Sequence, residues 1–129
     1  MLLALRHPRV WLAMGWLLVF LATIASIVPL RNVPKPPGVT DKMEHAVAYG
    51  LLAIWFAGIY PRSRYVMIGI GLFLMGIAIE WAQSAMQLGR ESDFRDVVAN
   101  SIGIVAGLTL ALIWLGGWAQ RVEGWTRKS

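Results

Sequence analysis

Four apolar stretches divide the chain, at residues 10–30, 42–60, 65–87 and 94–119. Each is long enough to cross a hydrocarbon core of roughly 30 Å when wound as a helix. Within each stretch apolar residues fall on nearly every helical face. A soluble bundle would show one apolar stripe and one polar face instead. The pattern therefore predicts an all-α polytopic membrane protein, a four-helix transmembrane bundle with 1–129 as one domain.

The connections between stretches carry the expected breakers. Pro34, Pro36, Pro37 and Gly38 rule out regular helix and predict an extended loop after the first span. Asp41, with Glu44 three residues on, reads as a capping box opening the second span. Pro61 sits in a short turn between spans two and three, and Gly89 interrupts the chain before span four. Residues 120–129 read as a polar tail. The first stretch is about 21 residues, longer than the h-region of a secretory signal, so it is expected to stay as an anchor helix.

Composition agrees with the pattern and narrows it. The chain has 129 residues, 57% of them hydrophobic, and a mean hydropathy of +0.59. Its net charge is +5. In a soluble protein this would raise nucleic acid; here the basic residues flank helix ends, which fits anionic lipid headgroups. Seven of them (Arg6, Arg9, Arg62, Arg64, Arg121, Arg127, Lys128) fall on one side of the four-span arrangement, and five (Arg31, Lys35, Lys42, Arg90, Arg95) on the other. The bias predicts cytoplasmic termini, with the Pro-rich loop and the loop before span four outside. The absence of cysteine excludes disulfides and thiol chemistry.

Polar residues inside the spans are few, and they are not scattered. Span two carries Asp41, Lys42, His45 and Tyr49; span three carries Glu80 and Gln83; span four carries Asp93, Asp96 and Asn100. Asp93, Asp96, Asn100, Gly103 and Gly107 recur at steps of three and four, which puts them on one helical face. Spans two and four start at the outer side and span three ends there. Tyr49 then lies about 12 Å from Asp41 along its helix, and Asn100 about 10 Å from Asp93. All three polar faces reach similar depth in one leaflet. An ionised carboxylate at a span centre costs roughly 2.5–3.5 kcal/mol, so such residues are functional candidates. His45 or Lys42 is the expected partner of Glu80, and a His–Glu pair suits proton transfer.

Plainer roles stand beside these. Asp41 and Asp93 can serve as helix N-caps. Asn100, Gly103 and Gly107 can serve close helix packing, through a small-x-x-x-small stripe and an interhelical hydrogen bond. Arg90 and Arg95 can contact lipid phosphate. One His among carboxylates, without a His-Glu-x-x-His spacing, predicts no metal and no other cofactor. No phosphate-binding glycine loop or nucleic-acid patch is present, so no nucleic-acid partner is expected.

The joint pattern Asp41-Lys42-x-x-His45-x-x-x-Tyr49, Glu80-x-x-Gln83, Gly89-Arg90 and Asp93-x-x-Asp96-x-x-x-Asn100-x-x-Gly103-x-x-x-Gly107 resembles the VanZ-like family of small bacterial membrane proteins. It covers about residues 41–107. Ala46 stands where the family has an aromatic after the His, and the Gly-Arg loop lacks the usual preceding proline. The resemblance implies a bacterial inner-membrane, cell-envelope setting. Its namesake is associated with resistance to the glycopeptide teicoplanin. It does not imply a reaction.

Three functions fit. In the first, the site binds or processes an envelope lipid with a phosphate or pyrophosphate headgroup. Lys42, Arg90 and Arg95 would hold the phosphate, with Asp41, Tyr49, Gln83 and Asn100 lining the ligand. His45 and Glu80 would transfer protons, oriented by Asp93 or Asp96. In the second, the chain is a non-catalytic accessory protein that binds a lipid or a partner and alters envelope composition. In the third, it is a proton-coupled transporter working as a homo-oligomer, which a one-leaflet site disfavours.

Overall fold

The computed structural model of the chain describes residues 1–27, 36–86 and 94–127. Five α-helices follow one another: α1 (Pro8–Ile27), α2 (Asp41–Ile59), α3 (Tyr65–Met86), α4 (Phe94–Leu110) and α5 (Trp118–Arg127). The described residues contain no strand. Among the described residues three segments are long and apolar enough to cross a membrane: Pro8–Ile27, Arg62–Ala85 and Phe94–Leu115. α2 is not among them. Its first turns hold Asp41, Lys42, Glu44 and His45, and its packed position reduces the need for an apolar surface.

Helix boundaries follow local chemistry. Pro8 occupies the first position of α1, where a missing N–H leaves no helical bond unmade. α2 is capped by Thr40, whose Oγ1 accepts a hydrogen bond from Met43 N at 3.2 Å. This corrects the expected Asp41 cap. Thr40 is extended (φ −105°, ψ 163°), as a cap residue must be, and Asp41 is already the first helical residue. α2 stops at Tyr60, which precedes Pro61 and is extended. A 3₁₀ turn at Arg62–Arg64 leads into α3.

The end of α4 also differs from expectation. The helix widens into a π-helical turn, Ala111–Leu115, closed by Gly116 N donating to Ala111 O at 2.8 Å. Gly117 then takes φ +72°, a conformation that favours glycine, and turns the chain into α5. The predicted fourth span to residue 119 thus ends at Leu115, and part of the predicted polar tail is helix.

α2 and α4 form the most extensive helix pair, running parallel. A Cβ at Gly103 would overlap the Ala46 carbonyl, and one at Gly107 would crowd the Gly50 carbonyl. The two backbones therefore meet along the Gly103–Gly107 stripe, the close approach small residues permit. Beside it, Tyr49, Leu52, Ala53, Leu72 and Ile104 form one buried cluster of the core. α1 and α3 pack on the pair and turn large apolar side chains outward, among them Trp16, Phe20, Ile70 and Leu74. Such exposed apolar surface is what lipid contact requires.

Candidate functional site

The glycine stripe places the first turns of α2 and α4 side by side. In this register Asp96 lies between two side chains of α2. Its Oδ1 pairs with Lys42 Nζ, and its Oδ2 lies 3.6 Å from His45 Nε2. The second distance is ion-pair range, longer than a hydrogen bond. His45 Nδ1 lies 3.1 Å from Asn100 Oδ1. A carbonyl oxygen can only accept, so Nδ1–H donates; α4 thus holds the imidazole at Nδ1 and sets the Asp96 carboxylate opposite Nε2. The side chain of Lys42 is 39% exposed and that of Asp96 11%, so the ammonium stands at the outer edge and the carboxylate behind it.

α3 closes the third side. Gly76 faces Asn100: a Cβ there would sit 2.8 Å from Asn100 Nδ2 and 3.5 Å from the Tyr49 hydroxyl. A Cβ at that position would displace the Asn100 amide and touch the Tyr49 hydroxyl. One turn further along α3, Glu80 is buried within electrostatic reach of Tyr49. Gln83 is also buried, and its Nε2 donates to the carbonyl of Ser26 on α1. Its Oε1 makes no hydrogen bond among the described residues.

The structure therefore gathers His45, Asp96, Lys42, Asn100 and Tyr49 with Glu80, and sets Gln83 beside them. Arg95, next to Asp96 in sequence, is exposed. Arg90 and Asp93 lie outside the described residues, as does the side chain of Asp41. Among the described residues no three His, Cys, Asp or Glu side chains cluster as a metal would need. The geometry provides a buried imidazole facing a carboxylate, with a cation at the entrance. It can hold an anion at Lys42 and exchange a proton at His45.

Asp93 or Asp96 is expected to orient His45, and Asp96 stands between His45 and Lys42. One contact escapes a reading of the sequence. α1, which has no ionisable residue after Arg9, still reaches the site through the Ser26 carbonyl. A backbone carbonyl leaves no signal in sequence.

An all-helical chain with three segments able to cross a bilayer, and a charged site at one end of its central helix pair, is a small polytopic membrane protein. The family model described as VanZ/LLP1 matches residues 8–115. The chain therefore belongs to the VanZ/LLP1 family, and the match takes in α1 as well as the region carrying the polar pattern. No curated protein and no solved structure matches it.

Proposed function

We propose that the protein binds or processes an envelope lipid or cell-wall precursor bearing a phosphate or pyrophosphate, at a site in the outer leaflet of the bacterial inner membrane. The observation that carries this reading is the Lys42–Asp96–His45–Asn100 chain at one end of the α2–α4 pair, buried except at Lys42. Charged groups are expensive at membrane depth and are kept there for a task. Lys42 would meet the phosphate, assisted by Arg90 and Arg95. His45 and Glu80 would move protons, with Asp93 or Asp96 setting their orientation. Asp41, Tyr49, Gln83 and Asn100 would line the ligand.

In this reading α2 is a fourth span. At 19 residues it is about 28 Å long. Residues 1–7 and α5 pack together at one end, as an even number of crossings requires. The basic bias places that end in the cytoplasm and the site outside. Action on a cell-wall precursor at the outer face would connect the protein with glycopeptide resistance. One observation favours the accessory role without catalysis: both ring nitrogens of His45 already face side chains of α4.

The test is native mass spectrometry of protein purified from its own membrane in mild detergent, comparing wild type with Lys42→Gln and Arg90→Ala. A retained phosphate lipid that is lost in the variants supports the reading. Equal retention in all three removes it. Glu80→Gln and His45→Asn then separate the roles: ligand kept with activity lost indicates catalysis, while both kept indicates the accessory role.

A further inference from the structure

The opposite end of the bundle carries a second charged arrangement, independent of the site above. It is built on the π-helical turn Ala111–Leu115. Within such a turn the carbonyl of Leu112 would accept from the N–H five residues on, at Gly117. That N–H instead donates to Ala57 O on α2, at 3.2 Å. The Leu112 carbonyl is taken by Arg62, whose Nη2 donates to it at 2.9 Å. The Trp114 carbonyl, beyond which the helix has ended, accepts from Arg121 Nη1, also at 2.9 Å. Two guanidiniums, one from the α2–α3 turn and one from α5, are thereby pinned to the same turn. A guanidinium has five donors in a fixed fork, so one bond to a carbonyl leaves a face able to grip an anion.

Nothing acidic neutralises this end among the described residues. Glu123 is the one side-chain carboxylate there, and it is buried. It accepts from Arg6 N at 2.6 Å, His7 N at 3.0 Å and Trp11 Nε1 at 2.8 Å. Arg62 and Arg121 are exposed. Beside them Trp114 is 70% and Trp125 68% exposed. Exposed tryptophan next to arginine is the composition of the hydrocarbon–headgroup boundary.

We propose that Arg62 and Arg121, pinned to the carbonyls of the π-helical turn, form a binding site for the phosphate of an anionic phospholipid. Trp114 and Trp125 place the arginines at headgroup depth, and the lack of a local exposed acid among the described residues supplies the charge match. The site holds the α2–α3 turn, the end of α4 and α5 to one lipid.

The test is native mass spectrometry of the full chain in mild detergent, titrated with phosphatidylglycerol or phosphatidylcholine. Wild type is expected to retain phosphatidylglycerol preferentially. A cation at a lipid surface is worth roughly five-fold in affinity, so Arg62→Gln with Arg121→Gln is expected to weaken retention by about thirty-fold. Gln keeps a donor for each carbonyl, and an unchanged helical circular-dichroism spectrum checks the fold. Arg9→Gln, an exposed cation at the same end, is expected to change retention little. Lack of lipid preference in wild type overturns the proposal whatever the variants do. An equal loss with Arg9→Gln also overturns it, since general charge would then suffice. Displacement of phosphatidylglycerol by millimolar inorganic phosphate would overturn the lipid in favour of a soluble anion.

Discussion

The α2–α4 seam gives the sharpest test of the architecture, through two glycines that differ only in what faces them. A Cβ at Gly103 would overlap the Ala46 carbonyl, and that atom is backbone, so no rotamer change relieves it. A Cβ at Gly71 on α3 would meet nothing within 4 Å. Replacing a mid-helix glycine by alanine gains about 1 kcal/mol from backbone entropy and propensity. Overpacking costs about 1–3 kcal/mol, more when backbone must move. Gly71→Ala should therefore be neutral or stabilising by up to about 1 kcal/mol. Gly103→Ala should be destabilising by about 2 kcal/mol, the upper overpacking figure less the propensity gain. The relieving movement separates α2 from α4, so the His45–Asn100 bond should weaken as well. Unfolding of both variants in micelles, followed by circular dichroism or steric trapping, reads the difference. The His45 ring signals in nuclear magnetic resonance read the second effect. Equal stability changes at the two positions would refute the seam, and an unchanged His45 signal in Gly103→Ala would refute its link to the site.

Other consequences can be checked in the same preparations. A double-mutant cycle with Lys42→Gln and Asp96→Asn should give a favourable coupling of about 1 kcal/mol, reduced from that of a buried pair because Lys42 is 39% exposed; zero coupling would mean the pair has no energetic role. At Glu123 burial raises the carboxyl pKa, but the N–H bonds from Arg6, Trp11 and His7 and the nearby His7 charge outweigh it, leaving it below the ordinary 4.5. The contact of the N-terminal segment with α5 should thus be complete above pH 4.5 and be lost as pH falls through the depressed value. Hydrogen exchange at the Arg6 and His7 amides, corrected for intrinsic rate, should accelerate in that acid range, and Glu123→Gln should remove the pH dependence; protection that persists unchanged would contradict the assignment. A single cysteine at Val39 should react with a membrane-impermeant thiol reagent in intact cells, and failure to label would reverse the proposed orientation.

Much of this fold is legible in the chain because lipid makes the pattern coarse. Long apolar runs leave only helix as a way to satisfy the backbone, so hydropathy alone places α1, α3 and α4. The Asp96, Asn100, Gly103, Gly107 face is legible through its spacing: all four residues are buried on α4. The partners are not legible. Lys42 meets Asp96 because residues 42–50 of α2 lie beside residues 96–107 of α4, and that offset is set by the intervening helix and loops. No periodicity within α2 or α4 contains it. α5 is hidden for a different reason. Its ten residues are too few for an apolar run, and Glu123 looks like a surface charge until the N-terminal segment supplies its donors. The Gly116-Gly117 pair is the available signal, since a glycine pair inside a span marks a stop. Thr40 and Asp41 are both good cap residues, so nothing local in the sequence chooses between them.

The glycine stripe and the charged turn above it make one device. Parallel helices joined through side chains would stand about 8–10 Å apart, and their first turns would leave room for water between Lys42, His45 and α4. Gly103 and Gly107 remove the side chains that would hold them off, so His45 reaches both Asp96 and Asn100 across the gap. Gly76 does the same on α3, letting Asn100 and Tyr49 approach it together. The polar residues therefore need no flexible loop to bring them together, because the distance of backbone approach lower in the bundle already sets their separation. A site fixed in this way tolerates little movement between α2 and α4. What stands at its edge is the ammonium of Lys42, more exposed than the Asp96 carboxylate behind it. The proposed function would then divide along that line, with recognition at Lys42 on the rim and proton transfer at His45 behind it.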